Sequence, residues 1–184
     1  MFKLHDHVIY PAHGVAVVSE ISEKMIAGVA IQFLKLNFVF KDMMILVPTY
    51  NIATIGIRYP SSEQEVNSAI YELSKKPEKV LDSIDFTPSG WNRRHKEYQL
   101  KIQDGKLIEV AKIYRDLMFI AQQKDLSFGE RTVLLSTEEL LVQEMQIVKL
   151  KDRDVVIQLL RNPFKQFIFH DKSFLTVDVQ QQAI

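Results

Sequence analysis

The spacing of apolar residues changes period once along this chain, at Tyr59-Pro60-Ser61, and that change restricts the fold more than any other feature. Before it, short β-branched and aromatic runs alternate with turn residues. The runs are Val8-Ile9-Tyr10, Val15-Ala16-Val17-Val18, Ile31 to Leu36, Met43 to Val47 and Thr54 to Ile57. Segments of this composition and spacing predict a small antiparallel β-barrel. Gly14 and Gly28 fall in the intervening turns, where positive φ is expected. Pro60 then interrupts the pattern, and the domain boundary is expected there.

After the boundary the period is helical. Ser62 and Glu65 form a capping-box pair ahead of Val66, Ala69, Ile70 and Leu73, so a first helix is predicted to run to about Lys75, before Pro77. A turn of helix is possible around Val80 to Ile84. A second helix is predicted from Asn92 to Gln103, ended by Asp104-Gly105, with Tyr98 and Ile102 on its inner face. Leu107, Val110, Ala111, Tyr114, Leu117, Met118 and Ala121 share one stripe of a third, Leu107 to Lys124. Ser127 and Glu130 open a fourth that reaches Lys149. Asp152 is placed to cap a fifth, which carries Val155, Val156, Leu159 and Leu160 and ends at Asn162-Pro163. The expected class is therefore α+β: a small antiparallel barrel over residues 1–60, a compact all-helical domain over 61–162, and an extension over 163–184. That extension is rich in Phe164, Phe167, Phe169, Phe174, Leu175 and Val177, and reads as a hairpin or as an apolar tail.

Composition narrows the function classes. The chain has 184 residues, 47% hydrophobic and 25% charged, with zero formal net charge and no cysteine. Zero net charge argues against a broad nucleic-acid-coating surface, so any DNA contact must come from a local patch. The absence of cysteine excludes disulfides, thiolate zinc sites and Cys nucleophiles, and fits a cytoplasmic protein. The first residues have no apolar h-region and no stretch reaches the length of a membrane span. No phosphate-binding glycine loop, nucleophile elbow or H-E-x-x-H is present, so no enzyme and no cofactor are expected. His5 and His7 would share one face of a strand, with His13 in the following turn. As a metal site the set is weak, and surface histidines are the simpler reading.

The single tryptophan, Trp91, follows Pro88-Ser89-Gly90 and precedes Asn92-Arg93-Arg94-His95-Lys96. A large aromatic most often fills a core. Cations near a helix N-terminus, however, oppose the macrodipole, and their placement there points to an external anion. A flat ring beside phosphate binders is suited to entering a base step while the cations hold the backbone. On the residues alone both readings stand.

Several segments resemble the CarD/CdnL transcription regulators, whose amino-terminal module is shared with the transcription-repair coupling factor. Val8-Ile9-Tyr10-Pro11-Ala12-His13-Gly14-Val15-Ala16 resembles the family's V-x-Y-P-x-H-G opening, and Val47-Pro48 with Asn51, Gly56 and Arg58 resembles the end of its barrel. Trp91-Asn92-Arg93-Arg94 with Lys96 is similar to its W-[SN]-R-R-x-K motif. Arg115-Asp116-Leu117 and Leu126-Ser127-x-Gly129-Glu130 resemble its later helices, so the likeness extends over about residues 2–160. The resemblance implies a Tudor- or SH3-like barrel that binds the β subunit of bacterial RNA polymerase, followed by a helical domain that touches promoter DNA without base-specific readout. It implies that Trp91 wedges into the minor groove at the upstream edge of the transcription bubble, with Arg93, Arg94 and Lys96 as phosphate contacts. It places Lys24 at a basic polymerase contact and puts Leu46 where another basic residue is usual. The extra length before Trp91 and the tail after Asn162 depart from the family pattern. A monomer is expected, associated with the nucleoid through polymerase. A KOW-like RNA- or ribosome-binding adaptor is the alternative, using the same small barrel but binding through its own aromatics.

Overall fold

The computed structural model describes residues 2–75 and 87–165. Four strands form one antiparallel sheet in the order β1-β2-β3-β4: β1 His7–Tyr10, β2 Gly14–Ile26, β3 Val29–Phe38 and β4 Met44–Pro48. The sheet curls into a half-barrel, and an isolated bridge between Ile9 and Arg58 brings the chain end of the module back against β1. Alternation puts Val8, Ala16, Val18, Leu34, Leu36 and Val47 inside, where Phe2, Phe38 and Ile57 complete the core. A bulge at Ser19 interrupts the β2–β3 ladder between Val18 and Glu20 and shifts the register so that Ile21, itself exposed, pairs with Leu34.

Two strand expectations change. β2 and β3 extend well beyond the predicted runs and join through Ala27 and Gly28, both at positive φ, as a two-residue hairpin turn requires. Thr54 to Ile57 is not a strand. After Pro48 the chain tightens into a 3-10 turn at Thr49–Asn51 and a single helical turn, α1 Ile52–Ile55, which Gly56 ends in the left-handed conformation. The β-prone residues of this segment yield to that local turn geometry, and only Arg58 rejoins the sheet.

The helical domain comprises α2 Glu63–Leu73, α3 Pro88–Asp104, α4 Leu107–Gln123, α5 Phe128–Lys149 and α6 Arg153–Arg161. Both predicted capping boxes form, Ser62 with Glu65 and Ser127 with Glu130, each satisfying two otherwise orphaned N–H groups. The whole predicted α4 stripe is buried; α2, α3 and α5 pack against α4, and α6 packs on α5 and α2. α3 begins four residues earlier than the sequence suggests, because Thr87 caps it by accepting the Gly90 N–H and Pro88 occupies its first turn. Asp152 stands at the N-cap of α6 without a side-chain capping bond, and Val155 is exposed while Val156 and Leu160 face inward. Asn162-Pro163 tighten the end of α6 into a 3-10 turn that delivers Phe164 into the core, against Tyr114 and Phe119. Phe164 therefore packs as part of the helical domain rather than of the extension. The predicted turn at Val80 to Ile84 and the aromatic tail beyond Lys165 lie outside the described residues.

Polar contacts between the half-barrel and α5 join the two cores. Glu144, buried on α5, receives Arg58 through both guanidinium nitrogens at 2.7 and 2.8 Å, together with the Ser61 N–H and hydroxyl. Arg58 also donates to the Gly105 carbonyl at the end of α3. Beside this pair, Gln143 accepts the Val15 N–H at 3.3 Å. Gly14 explains why the strand comes so close: its φ is 98°, and a Cβ there would stand 2.0 Å from Gln143 Oε1.

Candidate nucleic-acid interface

Trp91 lies in the second turn of α3, its N–H donating to the Thr87 carbonyl at 2.9 Å. Its indole is half-buried at the edge of the helical core, so neither the core reading nor the free-wedge reading describes it fully. His95, one turn on, stacks with it at 5.1 Å between centroids and 27° between planes. Arg94 Cζ stands 6.0 Å from the ring centroid, within cation–π range.

The four residues of the motif separate into two groups. Arg93 and Lys96 are exposed and form no ion pair with another described residue. Arg94, expected beside them as a phosphate contact, turns inward instead: it is buried and pairs with Glu130 at 3.3 Å. Helical periodicity accounts for this division, because Arg94 and Tyr98 are four apart and Tyr98 faces the core. At about 100° per residue, Arg93 and Lys96 point roughly 140–200° around the axis from Trp91. Both cations therefore lie on the side of α3 away from the indole. Because α3 starts at Pro88, Arg93 also lies beyond the first turn, where the macrodipole has largely faded, so its position is less unfavourable than expected.

Glu130 connects this region to α5. Its carboxylate accepts from Lys124 Nζ at 2.6 Å, from the Ser127 N–H at 2.9 Å and from Arg94. Burial pushes its pKa up, but the Lys124 hydrogen bond and the Ser127 capping contacts outweigh that and hold it below the ordinary carboxylate value. The sequence shows Ser127 and Glu130 as a helix cap only. That the same carboxylate braces the arginine beside Trp91 is a tertiary fact with no local signal.

On the half-barrel, Lys24 and Leu46 both emerge on the outer face. Lys24 pairs across the ladder with Ile31, and Leu46 with Lys35, so both sit opposite odd-numbered residues of β3. Lys24 Nζ lies over the Phe33 ring at 5.9 Å. Lys35, directly across from Leu46, supplies a cation next to the position where one is missing, and it contacts Glu20 at 3.5 Å. β4 forms one edge of the sheet. His5 sits in a turn at φ 69°, off the strand, so the alternation that would align it with His7 does not apply, and His13 packs against Tyr10 and Phe38. Among the described residues no group of three His, Asp or Glu side chains could hold a metal ion, and no helix is long and apolar enough to cross a membrane.

The chain thus consists of a half-barrel followed by a helical domain whose helix α3 carries a partly buried tryptophan on one side and exposed cations on the other. Residues 2–59 match the family model for the CarD-like/TRCF RID domain, and residues 79–161 match that for the CarD, C-terminal domain. The chain belongs to the CarD-like family of transcription regulators. A relative from Bacillus subtilis (strain 168), named "Putative transcription factor YdeB", is 28% identical over 149 residues, covering 81% of this chain and 93% of its own length.

Proposed function

We propose that this protein docks on the β subunit of RNA polymerase through its half-barrel and stabilises the promoter open complex by lodging Trp91 in the minor groove at the upstream bubble edge. The observation that carries this reading is the partly exposed indole near the start of α3, with Arg93 and Lys96 exposed on the same helix. Docking uses the outer face around Lys24 and Lys35 and the open edge of β4, to which a strand of the partner can add. Polymerase already unstacks the step, a cost of a few kcal/mol, so the ring only has to fill it. Specificity follows deformability and not base identity. Two phosphate contacts give a salt slope near −2, so raising salt from about 50 to 200 mM weakens DNA affinity roughly twelvefold. Such a module binds DNA poorly unaided, but a tether to polymerase raises its effective concentration to the order of mM. Zero net charge suits that arrangement.

The alternative of an RNA-binding adaptor gains nothing from the family match, which spans the helical domain as well as the barrel. Cross-linking to promoter DNA in the presence of polymerase, compared with cross-linking to RNA, tests the reading. Polymerase-dependent DNA cross-links through the α3 region support it, and RNA cross-links through barrel aromatics would replace it.

A further inference from the structure

Gly129, the second residue of α5, has no backbone reason to be glycine, since its φ lies outside the positive region that favours glycine. Alanine is the better helix former at such a position. What a side chain would meet there is Trp91. A Cβ on Gly129 would lie 3.1 Å from Cζ2, 3.2 Å from Nε1 and 3.3 Å from Cε2 of the indole, closer than the roughly 3.5–4.0 Å of ordinary carbon contact. The same ring stacks on His95 and lies beside Arg94, which Glu130 of α5 holds in place. The indole is thus seated against the bare first turn of α5 and is not simply hung from α3.

We infer that Gly129 is a positioning residue for Trp91: its missing side chain lets the ring sit down on α5, which sets how far and at what angle the free part of the indole projects toward DNA. The inference rests on the wedge reading above. A methyl group at Gly129 must move the ring by a few tenths of an ångström from its seat on α5. Displacements approaching 1 Å commonly disable a site whose first layer is otherwise intact.

The test exploits Trp91 being the only tryptophan, so intrinsic fluorescence reports this ring alone. In the full-length protein, Gly129→Ala should shift tryptophan emission to longer wavelength and shorten open-complex lifetime by about twofold or more. Melting temperature and polymerase pull-down should stay at wild-type values. In a Trp91→Phe background, where the smaller ring leaves room for the methyl, Gly129→Ala should have no further effect on lifetime. Unchanged emission and lifetime would overturn the inference, as would an equal loss in the Trp91→Phe background, which would mark a general effect on α5. If Trp91→Ala itself leaves lifetime unchanged, the wedge reading fails and this inference falls with it. If Trp91→Ala shortens lifetime and Gly129→Ala does not, only the role of Gly129 is lost.

Discussion

Arg93 and Arg94 are adjacent in sequence and opposite in physical role. Arg94 and Lys124 together neutralise the buried Glu130 carboxylate. Arg94→Ala leaves that carboxylate with one cation and removes a neighbour of the indole, so a loss of roughly 1–3 kcal/mol is expected in denaturant unfolding. The salt slope of DNA binding should hardly change. Arg93→Ala should behave in the opposite way, with stability within about 0.5 kcal/mol of wild type and a salt slope shallower by about one. Equal behaviour of the two variants in both measurements would mean that the burial difference carries no functional weight. The motif marks a cationic segment, but which of its cations turn inward depends on helix phase. Phase could be read only once the start of α3 was placed, and Thr87 and Pro88 move that start four residues upstream of the expected one.

At the scale of elements, what was legible in sequence was whatever local chemistry determines. The capping boxes of α2 and α5, the α4 stripe and the Gly105 stop all depend on neighbours within one or two turns, and all take the expected form. The length of β2 and β3 and the single turn of α1 were not legible, because long hairpin pairing and the bridge to Arg58 are set by partners distant in sequence. Two carboxylates of α5, one at its first turn and one at its middle, also carry pH dependence. Burial raises the pKa values of Glu130 and Glu139, but Lys124 and Ser127 in the first case, and Arg153 and Gln143 in the second, bring both below the unfolded value of about 4.5. Groups lowered in the folded state contribute their full stabilisation above the unfolded pKa. Between about pH 6 and 8 these two carboxylates therefore add no pH dependence to thermal unfolding, and the melting temperature should fall as pH drops below about 4.5 and they protonate. A melting temperature that rises on acidification would contradict the assignment. On the sheet, Lys24→Glu reverses charge on an exposed strand position and should reduce recovery of polymerase in a pull-down while leaving the unfolding curve unchanged. Undiminished recovery would move the docking face away from β2.

At the scale of the whole molecule, the proposed wedge requires that the half-barrel hold the helical domain in a defined pose. Arg58, bound by Glu144 and by the carbonyl of Gly105, is the most highly connected side chain between the two modules. Arg58→Ala strands a buried carboxylate whose remaining partners are the Ser61 N–H and hydroxyl. A loss on the order of 3 kcal/mol is expected in equilibrium unfolding. Open-complex lifetime should also shorten, even though Arg58 lies in neither proposed contact surface. A variant with unchanged lifetime would show that the pose between modules is not required. The change of period near Pro60 is readable in the sequence, but the contacts that link the segments on either side of it are not. Gln143 and Glu144 sit in an α5 sequence that looks like any polar helix face, and their partners lie more than 80 positions away. The central claim concerns Trp91, and the decay of preformed promoter open complexes after competitor challenge tests it most directly. With purified polymerase and saturating protein, wild type should lengthen the lifetime, and Trp91→Ala should return it to the value without the protein while polymerase binding and folding stay intact. A Trp91→Ala protein that folds, binds polymerase and still prolongs the open complex to the wild-type extent would contradict the account.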